Sequence, residues 1–139
     1  MINLIAIFSV LLQACGGKGP TPKDILGTWI NQDGAMLQIN SDSSFIGKSL
    51  PAQYFTFFTS KSEVEGKRVD GMGKWKLEEG QGFAEIKLHF TTMNNEKMNG
   101  FYSVLVSGEK GTLDNKPPWY LFLWKDEEGG ERYKFVKQK

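Results

Sequence analysis

The dipeptide Asp33-Gly34 sits inside the stretch Ile25-Leu-Gly-Thr-Trp-Ile-Asn-Gln-Asp-Gly-Ala-Met-Leu-Gln-Ile39 and constrains the chain more than any other feature. Asp-Gly supplies the two φ > 0 positions that a tight type I′ turn demands, so the stretch reads as a β-hairpin. Trp29 lies on its first arm, and Ala35, Leu37 and Ile39 alternate toward one face of the second. The pattern of a Trp, three residues, an acid and a Gly returns in Trp75-Lys-Leu-Glu-Glu-Gly80 and in Trp124-Lys-Asp-Glu-Glu-Gly129. An alternating run follows each: Ala84, Ile86, Leu88 and Phe90 after one, Tyr133 and Phe135 after the other. This predicts a β-protein built from hairpins around buried tryptophans.

Further strands fall between these hairpins. Ser41-Asp42-Ser43-Ser44 marks a turn and residues 45–50 a third strand, which Pro51 interrupts. Gln53-Tyr54-Phe55-Thr56-Phe57-Phe58-Thr59 has apolar groups on both faces, as in a fully buried strand or a short amphipathic piece that closes one end of the core. Residues 60–70 are charged and read as a loop or irregular edge, residues 94–97 as a polar turn, and residues 101–107 as another strand. The segment 108–118 carries two prolines, which bar a central strand and mark a long loop. About eight short antiparallel strands with no convincing amphipathic helix give a small all-β barrel; the alternative is a β-sandwich.

Charge and residue inventory narrow the function. With 17 basic and 16 acidic residues the net charge is +1, which provides no field to gather a nucleic acid. The single histidine, His89, falls on the polar face of a strand, and one His with one Cys does not make up the usual zinc ligand sets. The pairs Glu78-Glu79 and Glu127-Glu128 are adjacent and precede turn glycines, so they read as turn acids rather than a general acid/base couple. No catalytic residue, metal or cofactor is expected, and the chain is read as a binding protein rather than an enzyme. Aromatic density supports binding: Tyr54, Phe55, Phe57, Phe58, Trp119, Tyr120 and Phe122 can line an apolar ligand cavity or anchor a protein partner. They can equally fill the barrel.

The N-terminal region carries a separate message. Residues 2–12 are almost wholly apolar, a run too short to span a bilayer but suited to the apolar region of a signal peptide. Leu12-Gln13-Ala14-Cys15-Gly16 follows and resembles the lipobox of bacterial lipoproteins. The resemblance implies that residues 1–14 are removed, that Cys15 takes a diacylglycerol and becomes the N-terminus, and that the chain is lipid-anchored in the bacterial cell envelope, at the outer membrane. Residues 15–23, rich in Gly and Pro, then serve as a tether, and residues 24–139 as the folded domain. With no second cysteine there is no disulfide within the chain, so the core must carry stability alone.

Leu26-Gly27-Thr28-Trp29 is similar to the Gly-x-Trp signature that opens lipocalins. Lipobox, signature and all-β remainder together resemble the lipocalin-like lipoproteins of bacteria. They also resemble a group of small bacterial proteins that share Gly-Thr-Trp, Leu50-Pro51, Gly73-Lys-Trp75 and an ending like Trp124 to Tyr133. In lipocalins an Arg late in the last strand lies across the signature Trp, and the resemblance makes Arg132 that residue for Trp29. It implies carriage or sensing of a small apolar molecule; the alternative is a protein-interaction role, such as an immunity or inhibitor protein in the periplasm.

Overall fold

The computed structural model describes residues 18–55, 61–126 and 130–139. The expectations for the signal peptide, Cys15, Phe57, Phe58 and the pair Glu127-Glu128 lie outside these residues.

Eight strands form a closed antiparallel barrel in sequence order, a barrel and not a sandwich. They are β1 (Gly27–Ile30), β2 (Met36–Ile39), β3 (Ser44–Pro51), β4 (Arg68–Glu79), β5 (Ala84–Met93), β6 (Glu96–Lys110), β7 (Lys116–Trp124) and β8 (Arg132–Lys137). The cause is the period-2 alternation. On β5, Ile86, Leu88 and Phe90 are buried while Glu85, Lys87 and His89 face outward. Leu37 and Ile39, Val104 and Val106, Leu121 and Leu123, and Tyr133 and Phe135 supply the same inward face around the wall. Closure leaves no free sheet edge along a full strand. The β1–β8 seam is the shortest ladder, with only Trp29↔Lys137 and Ile30↔Val136 in register. Two further bonds extend it: the Gln138 amide donates to Thr28 O at 2.8 Å, and Asn31 Nδ2 donates to Lys134 O at 2.6 Å.

Several expectations need correction. The first hairpin forms, but its turn is not type I′. Asn31 N–H donates to Ala35 O and Gly34 N–H to Asn31 O, and Gly34 alone has positive φ, at 98°. That is a three-residue loop with glycine at the left-handed position. Asp33 keeps a local turn role, its carboxylate accepting the Ala35 N–H at 3.0 Å. Two successive left-handed residues occur instead at Asn94 and Asn95 (φ 50° and 66°), between the paired Met93 and Glu96. Asn reaches this region because its short amide bonds locally.

The aromatic stretch after Pro51 starts as a helix, not a strand: α2 spans Ala52–Phe55, and α3 spans Lys61–Val64. Its buried residues, Ala52 and Phe55, match the amphipathic alternative. β4 then begins at Arg68, inside the expected loop. The segment 108–118 is mostly strand: β6 reaches Lys110 and β7 starts at Lys116. Register runs from Gly108↔Trp119 to Lys110↔Lys116, which leaves Pro117 and Pro118 in a bulge where no N–H is required. Nor are all the repeated tryptophans buried. Trp29 and Trp75 are, but Trp124 is on the outer wall with 37% of its surface exposed.

A short helix, α1 (Pro22–Ile25), precedes β1 and takes in two residues read as tether. It plugs the base of the barrel. Its Asp24 carboxylate accepts the Thr21 N–H and hydroxyl at 2.7 and 2.9 Å, and those bonds, the N–H first, hold the carboxyl below its usual range. Ile25 O accepts the indole N–H of fully buried Trp29 at 2.8 Å.

Candidate functional site

In an antiparallel barrel the loops after odd strands gather at one end and those after even strands at the other. The base therefore holds α1, the 40–43 turn, the 80–83 turn and the 111–115 loop. The mouth holds the 31–35 loop, α2 and α3, the Asn94-Asn95 turn, the end of β7 and the start of β8.

At the mouth α2 carries two aromatic side chains against the top of the core. The Phe55 ring is fully buried, 5.2 Å from the Tyr102 ring and 6.1 Å from that of Phe90. Phe90 in turn meets Phe45 edge-on at 4.9 Å. Tyr54 is half-buried, its ring 5.2 Å from Tyr133. Among the described residues, a backbone bond from Ala52 N–H to Lys67 O at 2.9 Å ties the start of α2 to the residue ahead of β4.

Beside this lid lies a polar cluster. The Tyr133 hydroxyl donates to the Asp33 carboxylate, 2.7 and 2.6 Å from its two oxygens, and Arg68 Nη2 pairs with Asp33 Oδ2 at 2.9 Å. Partial burial works to raise the Asp33 carboxyl, but the bonds from Arg68 and Tyr133 outweigh it and hold the group below its ordinary value. Burial, followed by the bond to Asp33, pushes the Tyr133 phenol well above the usual tyrosine range. Burial likewise raises Tyr102. The chain of bonds continues around the rim. Arg68 Nη1 donates to Ser49 O at 3.1 Å, Ser49 N–H to Asp70 Oδ1 at 2.8 Å, and Asp70 N–H to Asn94 Oδ1 at 3.0 Å. An apolar interior thus ends in a polar collar with a helical lid.

The aromatic residues singled out in the sequence do not form one site. Tyr54 and Phe55 are at the mouth, Trp119 borders a cleft at the base, and Tyr120 is on the outer wall. The Trp29 partner is not Arg132. On β8, Tyr133 and Phe135 point inward, so Arg132 must point outward by alternation, and it pairs with Trp124 in register. Its guanidinium lies 4.5 Å from the Phe122 ring, 5.2 Å from Trp124 and 5.4 Å from Phe83, and it donates to the Tyr120 hydroxyl. Lys137 shares the parity of Tyr133 and Phe135 and occupies the place expected of Arg132. Its Nζ is 5.0 Å from the Trp29 ring and donates to Asp24 O at 2.6 Å. The alternation already visible in the sequence was enough to prefer it.

Asp33, Arg68, Tyr133 and Asp70 were absent from the sequence-based site. Each looked like an ordinary turn, loop or core residue, and only closure of the barrel brings them together. Outside the wall, the His89 ring stacks on Phe101 at 4.3 Å and 8°, with Phe101 64% exposed, and His89 Nε2 lies 2.6 Å from Asn99 Oδ1. Lys74, Lys76 and Lys87 line the same cleft of about 510 Å³. Among the described residues no three His, Cys, Asp or Glu side chains are grouped to hold a metal, and no helix is long and apolar enough to cross a membrane. Comparison with known proteins attaches no family to this barrel: no protein-family model, no curated protein and no solved structure matches the chain.

Proposed function

We propose that the protein is a lipid-anchored lipoprotein of the bacterial envelope, lipocalin-like in plan, that binds a small apolar molecule at the mouth of its barrel. The observation that carries this reading is the lid. The strands close every side of the barrel, but its mouth is covered by a four-residue helix whose Phe55 and Tyr54 rest on Phe90, Tyr102 and Tyr133. An apolar molecule that takes the place of Phe55 would meet aromatic walls, with the Asp33–Arg68–Tyr133 cluster beside it to orient a polar end. The lipobox and the Gly-Thr-Trp motif support the address and the plan. The buried aromatic and aliphatic lining of the interior supports binding as the reading preferred.

A protein partner is the second reading, and Phe101 favours it. An aromatic ring 64% exposed on the outer wall, stacked on His89 among lysines, suits an interface anchor. The two readings separate by experiment. Protein purified from its own host is analysed by native mass spectrometry, with Phe55→Ala and Phe101→Ala in parallel. A retained small mass that Phe55→Ala alters and Phe101→Ala leaves in place supports the mouth. Retention of a protein mass that only Phe101→Ala removes would replace that reading with the second.

A further inference from the structure

The base of the barrel carries the most exposed large apolar side chain among the described residues, and it sits beside the tether. Leu113, at the tip of the loop between β6 and β7, is 80% exposed. The loop is held in a tight shape: Gly108 N–H donates to Asp114 O at 2.6 Å, Asp114 N–H donates to Gly111 O at 3.4 Å, and Gly111 and Asp114 have φ of 95° and 52°. Leu113 is thus presented by a folded hairpin end. A cleft of about 270 Å³ is lined by Leu113 and Trp119 together with Gly19 and Pro20 of the tether. Loop tip and tether therefore border one surface, at the end away from the mouth.

Three residues lie between Cys15 and Gly19. Fully extended, the four steps from one to the other span about 14 Å, at about 3.3–3.6 Å for each. Resting on the proposal that Cys15 is acylated, we infer that Leu113 inserts into the leaflet that holds the acyl chains, so that the barrel stands on the membrane on its base with its mouth turned away. A lone exposed leucine ordinarily needs no partner. This one is held within a tether's length of a bilayer, and confinement by the anchor makes even a single apolar contact effective. Exposed Lys110 and Lys116 flank the loop and are placed to reach headgroups while Leu113 enters the acyl region. The orientation bears on the mouth as well, since it leaves α2 and the Asp33–Arg68–Tyr133 collar open to the aqueous phase.

The test uses full-length protein produced in its host, extracted from membranes and reconstituted in phosphatidylethanolamine/phosphatidylglycerol vesicles. Acylation blocks the thiol of Cys15, so Leu113→Cys gives one site for an environment-sensitive fluorophore. Glu96→Cys labels the mouth in the same way. Both side chains are exposed, so the substitutions leave the core intact. The expected result is blue-shifted emission from position 113, quenched by brominated acyl chains, with water-like, unquenched emission from position 96. If the protein floats with the vesicles while position 113 emits as in water, the anchor stands and the inference is overturned. If Cys15 carries a free thiol and the protein does not float, the anchoring proposal fails and takes the inference with it.

Discussion

The two ends of the barrel are closed by different means. At the base, α1 lies across the opening, the Trp29 indole is bonded to Ile25 O, and Lys137 covers the indole face while bonded to Asp24 O. The plug runs directly into β1, whose ladder continues it. At the mouth, α2 and α3 are single turns; Ala52 N–H donates to Lys67 O, just ahead of β4, at 2.9 Å, and Lys67 N–H to Val64 O at 3.0 Å. Among the described residues, aromatic contacts and the Asp33–Arg68–Tyr133 cluster add to these bonds. An end that is part of the strand network opens only when the barrel opens. An end covered by single-turn helices can open by itself, at a free energy below that of global unfolding. The difference places more of the stability at the base and easier local opening at the mouth.

The largest expected effect is at the base. Trp29→Ala removes a fully buried indole and should cost about 3–5 kcal/mol by denaturant unfolding. Phe55→Ala also removes a fully buried ring, yet a lid that can collapse or open relaxes around the loss. Its cost should stay below about 3 kcal/mol. Equal costs at the two positions would break the comparison, since Phe55 would then be as integral to the barrel as Trp29.

The mouth cluster predicts a particular pH response. Asp33→Asn should cost about 1 kcal/mol near neutrality, because the ion pair with Arg68 is partly exposed and is worth less than a buried one. The Asp33 carboxyl is held below its ordinary value in the fold, so its contribution is present above the usual aspartate pKa of about 3.9 and is lost as pH falls through the lower folded value. The Tyr133 phenol is raised in the fold, so its contribution is complete below about pH 10 and declines as pH rises beyond that. Stability curves of wild type and Asp33→Asn should thus converge at acid pH, and those of wild type and Tyr133→Phe at strongly alkaline pH. Parallel curves across both ranges would remove the cluster from the account.

The smallest effect sharpens the view of the base. Lys137→Ala should cost about 0.5–1 kcal/mol from the lost cation–π contact at an exposed site. In a double-mutant cycle with Trp29→Ala the two losses should be sub-additive, whereas Arg132→Ala with Trp29→Ala should be additive. The reverse outcome would restore Arg132 to the indole.

How far the sequence carries can be judged from these residues. Alternation along Ile86, Leu88 and Phe90, and again along Tyr133 and Phe135, was sufficient for an eight-stranded all-β reading, since a two-residue period has one structural meaning. Asp33-Gly34 marked a turn correctly but not its type, and it gave no sign that Asp33 also bonds to residues 35 and 100 positions away, Arg68 and Tyr133. Nothing near Asp33 in the chain reports that demand. The cluster at the mouth is a product of barrel closure and was illegible for the same reason. Pro117 and Pro118 argued against a strand by a sound rule, yet a bulge met the rule within β7. The Arg132 expectation failed differently: it took a residue type from the resemblance and set aside parity, which favours Lys137.

The central claim is that the mouth opens independently of the barrel, and native-state hydrogen exchange tests it most directly. The Ala52 and Lys67 amides should exchange through a local opening that barely depends on denaturant, while the Gln138 amide, bonded to Thr28 O at the seam, should exchange at a clearly higher free energy. If the Ala52, Lys67 and Gln138 amides instead exchange together, with the denaturant dependence of global unfolding, the lid is not a separate unit and the case for ligand entry at the mouth is contradicted.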